Sequence, residues 1–423
     1  MGQRIGTDMM KFWYFAKRQH DFAKRQHDFA KRHLGRLASM TMAAGLAACA
    51  LMAGLPARAA DVPTAAAYAL ISDFGTGRVL LEKQADAPMK PASMAKIMTL
   101  YIVFERIKEG SLSLEDTFLV SEKAWRKGGS RSFLNVGSRV TVNDLIHGVA
   151  VQSGNDAAIV LAEGLGGSEE GFAVQMNDTA LRLGMRNTNF TNSTGWPDPE
   201  LTTTARDLAI LASALIRDFP IQDYPDLYPV FAKMDYRING IKQGNRNPLL
   251  YGVPGADGLK TGHTEESGYG LVGSAIRGDQ RVILVLNGMT SRQQRADESR
   301  RLMDFMFREY RLYQLFGSNE PAATANVWLG RQAQLPLVLD KPLERVLSRT
   351  ERARMRITVS WQDPVPAPIE KGDKIGTLTF KTDGISETHD LLAGASVSQL
   401  GMFERVGAAV KYLIFGAAQP LQE

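Results

Sequence analysis

The stretch PASMAKIMTLYIVFE, residues 91–105, constrains the fold more than any other. Most of it is apolar on every side of the helix it forms, which marks a core helix that other elements must surround. Yet Lys96 stands three places after Ser93, and Leu100, Val103 and Ile107 continue its face at helical spacing. An ammonium on such a face is desolvated, which pushes its pKa down. A neutral amine beside a hydroxyl is a general base next to a nucleophile. Ser93 would also sit at the helix N-terminus, where the dipole and free N–H groups favour developing negative charge. The plainer alternative makes Ser93 an N-cap and lets Lys96 snorkel outward. For a lone S-x-x-K, a pattern common by chance, that alternative is the better one.

Two further motifs change the balance. Ser153-Gly154-Asn155 lies 60 residues after Ser93, at an expected break in the helical stretch 141–165. Lys260-Thr261-Gly262 lies 107 residues after Ser153, on an expected strand. Taken singly, SGN is a turn and KTG a strand end. In this order, on helix, loop and strand, the three form the S-x-x-K, S-x-N, K-T-G set of the serine penicillin-recognising enzymes.

The rest of the chain supplies a frame. Residues 66–82 read as two strands around a Gly-containing turn, and 257–289 as a meander of three strands. A loop-rich stretch spans 187–204, and ARDLAILASALIRD, 205–218, has helical periodicity. A helix from about Arg292 to Tyr313 closes the unit, with the first and last helices expected to pack together and a boundary near Gly317. This predicts an α+β domain, an antiparallel sheet flanked by helices, over 61–317. MRITVSW and KIGTLTF, separated by a Pro-punctuated stretch, predict a small β-rich domain over 318–395. In the tail 396–423, Leu400, Phe403, Val406, Val410, Leu413 and Ile414 fall on one helical face. That face either docks on its own domain or lies in a membrane interface; the extreme C-terminal position favours the membrane.

Composition narrows the function classes. Residues 1–60 hold ten Lys/Arg against three Asp, so of the net charge of +5 the remainder carries −2. A nearly neutral body lacks the basic footprint of a nucleic-acid binder. The basic start, the apolar run 37–55 and Ala57-Arg58-Ala59 read as an export signal over 1–59, cut after Ala59. A transmembrane helix, or a lipoprotein signal at Leu46-Ala47-Ala48-Cys49, are the alternatives. The repeat FAKRQHDFAKRQHDFAKR, 15–32, is too short for a solenoid and fits a long basic leader or a start nearer Met40. Cys49 is the only cysteine and lies in the leader, so no disulfide or thiol chemistry is expected in the mature chain. His147, His263 and His389 are not spaced as ligands, so no metal and no cofactor are expected.

With its motifs in the contexts PASMAKIMT, VQSGNDAA and GLKTGHT, the chain resembles the D-alanyl-D-alanine carboxypeptidases of the low-molecular-mass penicillin-binding proteins. The resemblance runs from about residue 65 to the C-terminus. It implies a penicillin-binding-protein/β-lactamase-like domain with a five-stranded sheet, a small all-β domain and an amphipathic anchor on the outer face of the inner membrane. The implied substrates are peptidoglycan pentapeptide stems, with β-lactams as covalent inhibitors. By resemblance, Ser93 is the acylated nucleophile and Lys96 its base. Ser153 relays a proton to the leaving D-alanine, and Asn155 holds the substrate amide. Lys260 keeps the site positive and couples to Ser153. Thr261 meets the terminal carboxylate, helped by Arg295. Gly262 lets substrate lie along the strand edge. The N–H groups of Ser93 and His263 form the oxyanion hole.

Two other readings stay open. A β-lactamase shares the three motifs but needs a deacylating carboxylate, often as E-x-x-L-N; Asp198-Pro199-Glu200-Leu201-Thr202 departs from it at both ends. A membrane-tethered scaffold is the other, although a pure binding module does not need Ser93, Lys96, Ser153, Asn155 and Lys260 intact.

Overall fold

The computed structural model describes residues 62–407. The export segment and most of the tail helix expected from the sequence therefore lie outside the described residues. The first sheet has five antiparallel strands: β1 (Tyr68–Asp73), β2 (Val79–Lys83), β3 (Ala256–Thr264), β4 (Gly268–Arg277) and β5 (Gln280–Met289), in the order β2-β1-β5-β4-β3. Between β2 and β3 the chain forms α1 (Lys96–Lys108), α2 (Val142–Ala150), α3 (Asn155–Gly166), α4 (Glu169–Leu183) and α5 (Ala205–Asp218). After β5 comes α6 (Arg292–Glu309).

The sheet is buried on both faces, and the strand period of two divides its residues between them. In β5, Ile283 and Val285 join the larger core with Leu100, Val103 and Phe104 of α1 and Leu208 and Leu211 of α5. Their neighbours Val282, Leu284 and Leu286 join a second core with Leu302, Met303 and Met306 of α6. A strand covered on both faces reads as the apolar run RVILVLN. This arrangement corrects one expectation: the first and last helices of the unit do not pack together but feed cores on opposite faces of the sheet.

The helix after β5 is also shorter than its periodicity suggests. It ends at Glu309, and Tyr310 already has extended backbone (φ −108, ψ 137). Tyr310–Phe316 forms strand β6, rich in the aromatic residues that favour a pleated surface. The strands that follow are β7 (Pro321–Trp328), β8 (Gln334–Val338), β9 (Leu343–Ser348), β10 (Arg356–Trp361), β11 (Val365–Pro366), β12 (Lys374–Thr382) and β13 (Ile385–Ala393). β6 pairs with β9, and the others form a six-stranded sheet ordered β10-β12-β13-β8-β7-β11. Leu335, Leu337, Leu378, Phe380 and Leu391 are buried, and most of them share the core of this sheet. Arg78, in the β1–β2 turn, reaches Glu351 with two nitrogens (3.1 and 2.5 Å) and donates to the Val346 carbonyl. A two-toothed guanidinium–carboxylate pair of this kind fixes orientation as well as contact.

Candidate active site

Ser93 lies in a 3-10 turn, Ala92–Ala95, that runs directly into α1. No side chain caps the turn, so Ser93 is not an N-cap. Ala92 is held at φ +46, in the left-handed region that L-residues occupy only under constraint. The turn packs on the edge strand β3. A Cβ at Gly262 would stand 2.8 Å from the Pro91 carbonyl and 3.2 Å from Ala92 Cβ. Glycine at this point of K-T-G is thus what lets the strand approach the turn that carries Ser93.

Lys96 is fully buried. Its Nζ lies 3.0 Å from Ser93 Oγ, 2.7 Å from Asn155 Oδ1 and 2.6 Å from the Thr194 carbonyl. No carboxylate is among these partners. Burial is the main cause that pushes its pKa down to about 7; the nearby Arg246 adds to it, Asp156 and Glu169 act against it, and Lys127 pushes it lower. The snorkelling alternative therefore fails, and the amine is neutral for part of the time near neutral pH.

The S-x-N motif occupies the break between α2 and α3. Ser153 has φ +62, and Asn155 is the first residue of α3. A Cβ at Gly154 would fall 2.1 Å from Ser132 Oγ, 2.8 Å from Asp156 Oδ1 and 3.1 Å from Ser132 Cβ, so a larger residue would force the Ser132 and Asp156 side chains to shift. The loop opposite is clamped from the same helix start. Asn155 N donates to the Ser130 carbonyl (2.7 Å) and its Nδ2 to the Gly128 carbonyl (2.8 Å). The buried Asp156 carboxylate accepts the N–H groups of Ser132 and Leu134. Asn155 is thereby locked with its oxygen toward Lys96.

Lys260 and Thr261 are both buried on β3. Lys260 Nζ donates to the Thr261 carbonyl at 3.2 Å, and the expected coupling to Ser153 is not among its hydrogen bonds. Burial first, then Lys96, Arg246 and Arg295, push the Lys260 pKa well down. His263 is exposed; its ring packs on Tyr269 at 3.9 Å, and the Arg295 guanidinium lies 5.7 Å from the same Tyr269 ring. Arg295 is 5 % exposed, its Nε has no hydrogen-bond partner, and burial together with Arg292 and Arg246 lowers its pKa to about 10. The cleft thus gathers Lys96, Lys260, Arg246 and Arg295 within electrostatic reach of one another, a field suited to an anionic substrate end.

Sequence reasoning passed over three contributors. Thr194 supplies its main-chain carbonyl to Lys96, and side-chain motifs cannot reveal that. Arg246 faces the site, with a nitrogen 2.5 Å from Ser130 Oγ; the only signal for it was its place in GNRNP. Trp196, half-exposed, lies against Gly129, where a Cβ would be 3.1 Å from the indole and 2.9 Å from Asn155 Nδ2. The Lys127 ammonium sits 4.3 Å over its ring. In the near-match to E-x-x-L-N, the Asp198 carboxylate accepts the Glu200 N–H (2.8 Å) and Glu200 is exposed. Lys90 binds the carbonyls of Asp198, Pro199 and Leu201. Neither carboxylate is a partner of Ser93 or Lys96.

Comparison with known proteins places this geometry. Residues 56–290 match the family model described as D-alanyl-D-alanine carboxypeptidase, and residues 310–399 match that of the penicillin-binding protein 5 C-terminal domain. The chain is 36% identical over 346 residues to the D-alanyl-D-alanine carboxypeptidase DacC of Escherichia coli, covering 80% of this chain and 85% of that protein. It is 35% identical over 332 residues to DacF of Bacillus subtilis, covering 77% and 84%. The crystal structure of penicillin-binding protein 5 from Haemophilus influenzae superposes with a TM-score of 0.68 at 30% identity, covering 81% of this chain and all of that one. Penicillin-Binding Protein D2 from Listeria monocytogenes, solved in an ampicillin-bound form, covers 59% of this chain at 30% identity and a TM-score of 0.53.

Proposed function

The chain belongs to the D-alanyl-D-alanine carboxypeptidase family and is a serine-type D-Ala-D-Ala carboxypeptidase, and from that premise we propose which of its residues carry the reaction. Ser93 Oγ attacks the carbonyl between the two terminal D-alanines of a peptidoglycan pentapeptide stem, and Lys96 Nζ takes its proton. Ser153 passes a proton to the departing D-alanine. Asn155 holds the substrate amide and, through its oxygen, the amine. Thr261 and Arg295 bind the terminal carboxylate, with Lys260 keeping the site positive. The N–H groups of Ser93 and His263 receive the oxyanion. Water then hydrolyses the Ser93 ester. A β-lactam would acylate the same hydroxyl and leave slowly.

The observation that supports this assignment most is the fully buried Lys96, whose amine contacts Ser93 Oγ, Asn155 Oδ1 and a main-chain carbonyl without a carboxylate partner. Mass spectrometry of a pentapeptide stem incubated with the purified protein tests it. Loss of one D-alanine is the expected result, with fluorescent penicillin retained on the peptide containing Ser93. Rapid turnover of the penicillin would instead make the protein a β-lactamase. A Ser93→Ala protein that restored every defect of a deletion strain would favour the scaffold reading.

We further propose that the mature chain starts near Ala60, is exported, and is held on the outer face of the inner membrane by its tail. The chain is helical from Met402 to the last described residue, with Met402, Phe403 and Val406 at 66%, 90% and 62% exposure. Apolar side chains so exposed suit a lipid interface. Truncation after Leu400, which keeps the buried Val397 and its pairing with Ile369, is expected to move the mature protein from the membrane fraction to the soluble fraction with its activity on soluble pentapeptide intact. A truncated form that stays with the membranes would refute the anchor.

A further inference from the structure

The segment Asn192–Trp196 brings a main-chain carbonyl to Lys96, and a single buried carboxylate holds that segment. Glu169, 5 % exposed, is the first residue of α4, where the helix dipole favours negative charge. Its Oε1 accepts both the Ser193 N–H (3.2 Å) and the Ser193 hydroxyl (2.8 Å). Its Oε2 faces Lys123 Nζ at 3.1 Å. The next contacts run inward. The Ser193 carbonyl accepts Thr99 Oγ1 (2.7 Å), one turn after Lys96 on α1, and the Thr194 carbonyl accepts Lys96 Nζ (2.6 Å). Gly195 locks the far end, because a Cβ there would overlap the Ala92 carbonyl at 1.8 Å.

We propose that Glu169 is a positioning residue for Lys96: by gripping Ser193 it fixes the Thr194 carbonyl against the amine and so sets both the aim and the charge state of the base. The proposal rests on the reading of Lys96 as that base. Glu169 touches neither substrate nor Ser93, so its influence passes through two residues of main chain and through its field. The charged groups facing Lys96 are Lys127 beside the clamped loop, Asp156 on α3, Glu169 on α4, Lys260 on β3 and Arg246 before it. Lys123, shared with the exposed Glu170, faces Glu169. Among the described residues only Asp156 and Glu169 are acidic members of this set, and Asp156 is occupied with the main chain of 132–134.

The test is the acylation rate of Ser93 by a β-lactam as a function of pH, in the parent, Glu169→Gln and Glu169→Ala. Glutamine keeps an oxygen for Ser193 but removes the charge. Its rising limb is expected to move to lower pH by about half a unit to one unit, with the plateau retained. Alanine frees Ser193 and lets Thr194 drift, and acylation is expected to fall roughly ten- to hundredfold at every pH. A role limited to holding the fold would lower the melting temperature and leave the limb in place. A glutamine variant whose limb stays with the parent's, or a folded alanine variant that acylates at the parent's rate, overturns the proposal. If the parent itself shows no acylation at Ser93, or no rise in rate with pH, the assignment of Lys96 fails instead.

Discussion

Lys96→Ala is expected to slow acylation of Ser93 by about 10²- to 10⁴-fold, the contribution of a positioned general base. The rate in the unmodified protein should climb through about pH 7, because burial pushes the amine down to that value and only its neutral form accepts a proton. In the variant that climb should vanish along with the rate. The substitution also leaves Asn155 Oδ1 and the Thr194 carbonyl without their hydrogen-bond donor, so circular dichroism and a melting curve are needed beside the kinetics. Lys96→Arg separates charge from basicity. A guanidinium keeps the positive charge in the cleft but does not give up its proton near neutral pH. It should therefore be as slow as alanine. An arginine variant acylating near the parent's rate would show that a cation, and not a base, is what Ser93 needs.

Gly195→Ala is expected to be the most disruptive single-methyl change near the site. The residue sits at φ +74, and the added Cβ would lie 1.8 Å from the Ala92 carbonyl oxygen, inside any tolerable contact. Strain of the left-handed backbone alone costs about 1–2 kcal/mol, and relief of the overlap must move main chain on one side or the other. A loss of more than about 3 kcal/mol in urea unfolding is expected. Because the two segments that must separate carry Ser93 and the Thr194 carbonyl, acylation should fall even in the fraction that stays folded. Gly77→Ala is the control: it has φ +69 with no atom within 4 Å of the new Cβ. It should cost only the backbone strain and leave acylation unchanged. Equal effects of the two substitutions would mean that the close approach at Ala92 carries no weight.

The S-x-x-K, S-x-N and K-T-G motifs were legible because residue type and local spacing carry them, and the fold brings Ser93, Lys96 and Asn155 into contact. Ser93 and Lys96 are one turn apart, and one helix start brings them together whatever surrounds it. The SGN turn and the KTG strand announce themselves by small residues at fixed offsets. The continuous apolar run of β5 and the periodic α5 were equally local signals. The misreadings all have one cause. The end of α6 at Glu309 is set by β6 pairing with β9 about thirty residues later, and periodicity within the segment does not register such a partner. The helix pair expected to pack together was divided by a sheet whose order depends on strands far apart in sequence. Arg246, Trp196, Glu169 and the use of the Thr194 carbonyl were not legible because each rests on a contact across the fold, and Thr194 acts through its main chain.

The sequence by itself determined that this chain carries a serine–lysine pair on a core helix, a polar loop and a K-T-G strand, since each is written within a few consecutive residues. Tertiary structure alone decided that Lys96 is sealed from water, that Asn155 and a carbonyl from the 187–204 loop take the place of a counter-ion, and that glycines at 154, 195 and 262 let three separate segments come within contact of the turn and loop they flank. The division follows from physics. Residue identity fixes which protons a side chain can give or take. The equilibrium between its charged and neutral forms is set by the solvent and charges around it, and those are supplied by parts of the chain that only folding brings near.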